Sequence, residues 1–389
     1  MKSVVKSGDE MEHIRVVPVE GRQSLKRFIF FPWKVYAADP VWVPPLFLDR
    51  MQQLSPRNPY FQHARYRAWT AHRGGEVVGR ISAQIDRLHL ERYEDSTGFF
   101  GQIEGLDDPL VFRSLFETAE SWLRENGMTR VLGPFNLSIN QECGLLVEGF
   151  ETPPAVMMGH APPYYGDRIE ELGYTKAKDT LAYKLQDDFQ LSAPMKAVVK
   201  RASDRVRIRP WRKSSLPEEL HILREIFDDA WSGNWSFIPF TEAEFTRMGQ
   251  EMKHLIPADF VQIAELDGSP AAMIVLLPNV NEAIKDLNGR LLPLGWLKLL
   301  WRLKVSFPKT GRVPLMGVRR RFHNSLLGAA LALNLIDAVR SAGAKKGMRE
   351  AELSWILEDN AGMRNILESV GGVAYKRYRI YEKELSRES

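Results

Sequence analysis

The chain has 389 residues, 44% of them hydrophobic and 26% charged, with a formal net charge of +4. That is the composition of a globular protein with a real core, long enough for two or three domains, and so small a basic excess gives no argument for nucleic acid as a partner. Its one cysteine, Cys143, excludes an internal disulfide framework or a cysteine-cluster metal site and suits a reducing cytoplasm.

The charged stretch Met1 to Glu12 carries no apolar core, so it is no signal peptide, and the absence of a run of about 20 uncharged apolar residues predicts no membrane span. Residues 14–19 predict a first strand and 23–38 an aromatic-rich helix. Asp39-Pro40-Val41-Trp42-Val43-Pro44-Pro45 is extended, because its prolines forbid helix. Residues 65–72 and 76–86 predict strands joined by a Gly74-Gly75 turn, and 98–104 a third strand. Asp108-Pro109 opens a helix, Asp as N-cap and Pro at the first helical position; Asn126-Gly127 ends it. A strand at 129–133, a short helix at 165–172 closed by Gly173 and a strand at 176–185 complete the first half. Residues 187–204 read as a basic linker.

The order then starts again. It runs strand 206–211, helix 216–231, helix 241–254 opened by a Thr241 and Glu244 capping box, and a hairpin of 260–266 and 270–277. Strand 313–318, long helix 325–342, strand 352–356, helix 360–370 stopped by Gly371-Gly372, and strand 375–382 follow. The chain therefore reads as a structural repeat of about 190 residues. The stretch best suited to an anion is the strand, turn and helix from Val313 to Leu331, with Arg319, Arg320 and Arg321 in its turn. Unpaired N–H groups at a helix start, the helix dipole and three arginines favour a phosphate or pyrophosphate. The alternative is an ordinary connection with solvated arginines. The corresponding turn of the first half, Glu104-Gly105-Leu106-Asp107-Asp108-Pro109, is acidic and proline-blocked.

This order of elements, the basic turn and the Asn360 to Gly372 segment resemble the GNAT acyltransferase superfamily. The resemblance implies an α/β fold (a mixed α+β sheet) in two tandem GNAT-like domains. These are 1–188, without coenzyme A, a basic linker at 189–205, and 206–389, which binds acyl-CoA. It implies that Val318, Arg319, Arg320, Arg321, Gly328 and Ala329 form the family's pyrophosphate turn, although its second glycine is missing here. Asn360 matches the family's later N-x-x-A/S helix, and a tyrosine near that helix often serves as the acid to the departing thiolate. Tyr378 and Tyr381 face opposite sides of one strand, and Tyr378 is the candidate.

A closer resemblance covers nearly the whole chain. Gly133 to Gly144 (GPFNLSINQECG), Gly149 to Pro154 (GFETPP) and Pro162-Pro163-Tyr164-Tyr165 are similar to a bacterial tandem-GNAT family that includes ceramide synthases. The implied activity is acyl transfer from acyl-CoA to the amine of a long-chain sphingoid base. The expected partners are acyl-CoA and a long-chain amine lipid, with no metal and no nucleic acid, in the cytoplasm; peripheral contact at the anionic inner face of the membrane is left open as one reading of the apolar segment described below. Acetyl or aminoacyl transfer to a soluble amine and a catalytically silent binding protein are the alternatives. A nucleotide pyrophosphohydrolase lacks its glutamate cluster here.

N-acyl transfer needs a neutral amine, a route for its proton and a polarised thioester carbonyl. Asn136, Ser138, Asn140 and Glu142 alternate, so as one extended strand they share a face. That set suits an amine-and-hydroxyl head group, with Glu142 as proton acceptor, Asn136 and Asn140 beside it, and Ser138 and Tyr164 on the substrate. The alternative is that these residues satisfy turns. Cys143 is expected as a buried bystander, and His160 and His323 as structural residues. Residues 291–304 are apolar, with Trp296, Trp301 and only basic charges, Lys298 and Arg302 sharing a helical face. That pattern suits an interfacial helix or an acyl-chain lid, with a core-packed insertion as the alternative.

Overall fold

The computed structural model describes residues 13–386 of the chain, so the stretch Met1 to Glu12 lies outside it. Contacts divide the chain into two compact units. One takes the residues up to Asp179 together with those from Tyr378 on; the other is Thr180–Arg377.

In the first unit the strands Arg15–Pro18, Ala64–Arg73, Glu76–Asp86, Thr97–Gly105 and Arg130–Gly133 lie side by side in that order. All neighbours are antiparallel except the last two, which are parallel. In the second unit Val206–Pro210, Val261–Leu266, Ser269–Pro278, Thr310–Val318 and Glu350–Leu357 repeat the order, again with the last pair parallel. A parallel neighbour needs a crossover. Helices Pro109–Glu125 and Leu326–Lys345 supply it in the two units.

The sixth place in each sheet corrects the expectation. Tyr381 to Glu384, at the chain's end, pair with Arg130–Gly133 in the first unit. Strand Thr175–Gln186 pairs with Glu350–Leu357 through its residues Thr180 to Gln186, which belong to the second unit. Each copy is thus completed by a strand from the other half of the sequence. The expected linker also differs, because Ala193–Ala202 is helical. The predicted helix at 23–38 is divided at Pro32 into Gly21–Phe30 and Pro32–Val35.

One irregularity recurs in both units. Register passes from Arg80↔Glu104 to Ser82↔Gly101 in the first, and from Leu277↔Arg312 to Val275↔Leu315 in the second. Each shift inserts one extra residue into the strand that enters the parallel pair, a β-bulge that bends the strand and re-aims its side chains. Parallel pairing ends at Phe99↔Leu132 and at Val313↔Leu353. In the second unit Pro314, which has no N–H to offer a ladder, follows at once.

Helix Leu326–Lys345 buries Leu331, Leu335, Ile336 and Val339 in the second unit's core. By length and hydropathy it is also apolar enough to cross a bilayer, but 56% of the apolar window is buried. Truncating Leu335 to Ala would remove a fully buried side chain, a change that costs about 2–5 kcal/mol.

Candidate functional site

The polar run after Gly133 folds as a hairpin, with Phe135 opposite Cys143 and Asn136 opposite Glu142. The single extended strand that the alternation predicts is not what forms. Ser138 and Asn140 lie in the turn, where Ser138 Oγ accepts from the Asn140 N–H (3.2 Å) and Ser138 O from the Gln141 N–H (3.1 Å). Short polar side chains favour such local bonds over a ladder. The expected shared face is reduced to Asn136 and Glu142.

These two residues join a larger polar cluster in the first unit. Asn136 Nδ2 donates to Glu142 Oε2 (3.2 Å), and Asn136 Oδ1 accepts from the Gln102 N–H at the bulge (2.8 Å). Arg50 Nη2 lies 2.5 Å from Glu142 Oε1, and Tyr66 donates to Gln102 Oε1 (2.6 Å). The strand carrying Gln102 is crossed closely by the hairpin: a Cβ on Gly101 would lie 1.9 Å from the Phe135 carbonyl oxygen, so only glycine fits.

Glu104, on the same strand, is a member that sequence reasoning missed. Its Oε2 accepts from Tyr36 (2.8 Å) and Tyr165 (2.7 Å), and Arg80 lies 3.6 Å from Oε1. Burial pushes the Glu104 carboxyl up, against the opposing pull of Arg80 and of the two hydroxyls. Burial, then the Glu104 charge, push Tyr36 and Tyr165 far up, so both remain protonated donors. Water still reaches the cluster, since the Glu104 and Glu142 side chains keep 13% and 16% of their surface exposed. A carboxyl raised by burial is suited to accept a proton.

Other expected residues of this unit act around that cluster. Tyr164 donates to the Gly105 carbonyl (2.8 Å) and so holds the turn, while its neighbour Tyr165 meets Glu104. His160 Nε2 bonds Asp39 (2.7 Å), a structural pair. Burial raises the Asp39 carboxyl, but His160 and the Val41 N–H outweigh it and hold it low. Cys143 is buried. Tyr378 is fully buried and belongs to the first unit, where the Cβ that Gly144 lacks would lie 3.0 Å from its own. This corrects the expectation that places it with the Asn360 helix: the strand that carries it continues into the first unit.

In the second unit the basic turn is built as a strand, a tight helical turn at Arg320–Phe322, and helix Leu326–Lys345 capped by Ser325, whose Oγ accepts from the Gly328 N–H (3.0 Å). A Cβ on Gly328 would stand 2.1 Å from the Phe322 carbonyl oxygen. The three arginines are not equivalent. Arg319 donates to Glu225 (3.2 Å) and to the Pro270 carbonyl (3.0 Å). Arg320 gives its N–H to Asp229 (2.7 Å) and its guanidinium to Ser232 (3.2 Å). Arg321 is exposed and stacks on the Phe322 ring at 4.7 Å. His323 bonds the Val318 carbonyl (2.7 Å), and the Ala329 N–H donates to the Ser325 carbonyl (3.1 Å). A pyrophosphate fits this arrangement through the helix start and Arg321, with Arg319 and Arg320 fixing the turn. Asn360 caps helix Ala361–Ser369, accepting from the Met363 N–H (3.1 Å).

Where parallel pairing ends in this unit, a dry cluster was also missed. Arg312, facing Glu352 in register, donates Nε to Ser354 Oγ (2.8 Å), lies 3.7 Å from Glu352 and stacks on Trp355 at 4.5 Å. Tyr375 also donates to Glu352. Trp296 and Trp301 lie on helix Gly295–Trp301. Among the described residues no group of three or more His, Cys, Asp or Glu side chains is placed to hold a metal ion.

No family model matches the chain. It is 51% identical over 365 residues to Protein YghO of Escherichia coli (strain K12), covering 94% of each chain. It is 48% identical over 375 residues to the bacterial ceramide synthase of Caulobacter vibrioides (strain NA1000 / CB15N), covering 96% of this chain and 98% of that one. Among solved structures it is similar to a tandem GNAT protein from the clavulanic acid biosynthesis pathway (TM-score 0.57, 13% identity, 97% of this chain and 100% of that one). It is also similar to a GCN5-related glucosamine N-acetyltransferase region of a fungal multi-domain GH3 β-N-acetylglucosaminidase (TM-score 0.58, 12% identity, 95% and 38%). At such identities these two likenesses show the fold, and it is the tandem, mixed-sheet fold that the order of elements predicts.

Proposed function

The chain belongs to the tandem GNAT-fold acyltransferase family that includes bacterial ceramide synthase; it is an acyl-CoA-dependent N-acyltransferase, and we propose that its acceptor is the amine of a long-chain sphingoid base. What supports the acceptor reading most is the water-reached polar cluster of the first unit, where two carboxyls with different environments lie among neutral hydrogen-bonding groups. A sphingoid head group offers an ammonium and hydroxyls. Glu142, ion-paired with Arg50 and accepting from Asn136, is the carboxylate placed to meet the ammonium. Glu104, whose carboxyl is pushed up by burial, takes the proton in place of Glu142, the acceptor expected from sequence. The neutral amine then attacks the thioester carbonyl; collapse of the tetrahedral adduct breaks the C–S bond and forms the amide, and the proton that the nitrogen gives up ends on the departing sulfur, so coenzyme A leaves as the thiol.

The donor is assigned to the second unit's turn. Arg321 and the start of helix Leu326–Lys345 meet the pyrophosphate, while Arg319 and Arg320 tie the turn to Glu225 and Asp229. The test is to incubate the purified protein with palmitoyl-CoA or acetyl-CoA and a panel of amines that includes sphinganine and its 3-keto form, and to follow thiol release. Release with long-chain amines alone is expected. Release with soluble amines and no lipid product overturns the acceptor, and no release, with no coenzyme A binding by calorimetry, leaves a silent binding protein.

A further inference from the structure

Strands Ser269–Pro278 and Thr310–Val318 are antiparallel neighbours, yet residues 279–309 lie between them. The matching strands of the first unit, Glu76–Asp86 and Thr97–Gly105, need only residues 87–96. The longer connection is more than a turn requires. It carries helix Gly295–Trp301 and a wider helical turn at Arg302–Ser306. Between Leu292 and Val305 seven large apolar side chains are exposed, Trp296 by 47% and Trp301 by 57%; the rest of the described chain exposes six, scattered from Leu48 to Val373. Apolar exposure concentrated in this way marks a surface that meets something.

The orientation of the helix is fixed from its other side. Lys298 and Arg302 share a face, as their spacing predicts, but that face is turned onto the protein: both bond Asp286, and Arg302 also donates to the Ala283 carbonyl (2.7 Å). Trp296, Leu297 and Leu300 occupy the opposite side by helical spacing, with Trp301 on its flank. Residues 279–309 hold six lysines and arginines against two carboxylates, Glu282 and Asp286. A second copy of this patch would bring like charges together, which disfavours self-association. Tryptophans and aliphatics edged by cations match the headgroup boundary of an anionic bilayer. At about 10 Å long the helix is far too short to span one, so it lies in the plane of the surface.

We propose that the segment 291–306 seats the second unit on an anionic phospholipid bilayer. The seat rests on this surface alone and holds whichever amine is the acceptor. It is tested with the full chain and extruded phosphatidylcholine vesicles, with and without phosphatidylglycerol, by co-sedimentation. The expected result is binding to the anionic vesicles, little to the neutral ones, and release by salt. The double variant Trp296→Ser, Trp301→Ser is expected to bind at least about tenfold more weakly, since interfacial binding scales with the apolar area inserted. Its thermal melt is expected to match the parent, because both side chains are largely exposed. A wild-type chain that stays in the supernatant at low salt overturns the proposal, as does undiminished binding of the double variant at an unchanged melt. If the variant melts early, Leu300→Ser, also on the exposed face, is read in its place with the same two outcomes. A dimer that the tryptophan variant dissolves, with no vesicle binding, overturns it too and makes the patch a protein interface.

Discussion

The helix that follows the bulged strand begins in opposite ways in the two units. In the first, Asp108 caps the helix, accepting from the Leu110 N–H (2.8 Å), Pro109 fills the first helical position, and Asp107 is bonded by Arg168 (2.9 Å). Carboxylates already satisfy that helix start, and an incoming anion meets repulsion. In the second, the cap is the neutral Ser325, and the turn before it carries Arg319 to Arg321. The same sheet order and the same bulge therefore serve two ends. One copy is left with a neutral cap behind a basic turn, and the other with a polar cluster under its bulge.

The comparison is broken most severely at Glu104. Glu104→Gln keeps the shape and removes the base, so kcat is expected to fall about 10²–10⁴-fold with the KM for acyl-CoA unchanged. A raised KM with kcat intact would take the proton step out of the first unit. The pH profile carries the sign. Glu104 must be ionised to accept a proton, so the acid limb of kcat/KM lies above the ordinary carboxylate range and disappears in the variant. Because its folded pKa is raised, folding favours the protonated form, and its share of stability declines as pH rises through that value.

Glu352 is the contrast to Glu104. Its ion pair with Arg312 is dry, the two side chains being 4% and 0% exposed. Glu352→Ala strands a buried guanidinium and is expected to cost about 3–5 kcal/mol in a denaturant melt. A smaller loss would mean that the pair is hydrated. Gly328→Val drives a side chain into the Phe322 carbonyl, expected to cost about 1–3 kcal/mol and to raise the KM for acyl-CoA. Arg321→Ala is expected to raise that KM about tenfold, the worth of one charge-assisted contact, whereas Arg319→Ala acts chiefly on the melting temperature. The smallest effect is at the first unit's own helix start: Asp108→Ala loses about 1 kcal/mol of stability and leaves the KM for acyl-CoA where it was. A shift in that KM would mean that the first copy also receives the donor.

Much of the fold is written in local signals. Asp108-Pro109, Ser325 and the Thr241 and Glu244 capping box open their helices where sequence places them, because a cap depends on residues two or three apart. The order of both halves follows from strong periodicities. What escaped is non-local. The alternation of residues 176–185 and 375–382 is the same whichever neighbour they pair with, so the exchange of final strands leaves no trace. Asn136 and Glu142 pair across the hairpin, but the alternation between them reads equally as one strand or as a hairpin. Glu104 joins the polar cluster only through Tyr36, Arg80 and Tyr165, which are far apart in the chain. The shared face of Lys298 and Arg302 was correct, while its partner, Asp286, required the folded connection.

The exchanged strands also set an order of events during synthesis. The first unit's sheet waits for Tyr381 to Glu384, which are made after every residue of the second unit. Until then the edge at Arg130–Gly133 offers unpaired backbone groups to any passing strand. The second unit, by contrast, has its sixth strand before any of its other five are made. A nascent chain of this protein therefore finishes its N-terminal unit after its C-terminal one, and cutting it between the halves frees two sheets that each lack a strand.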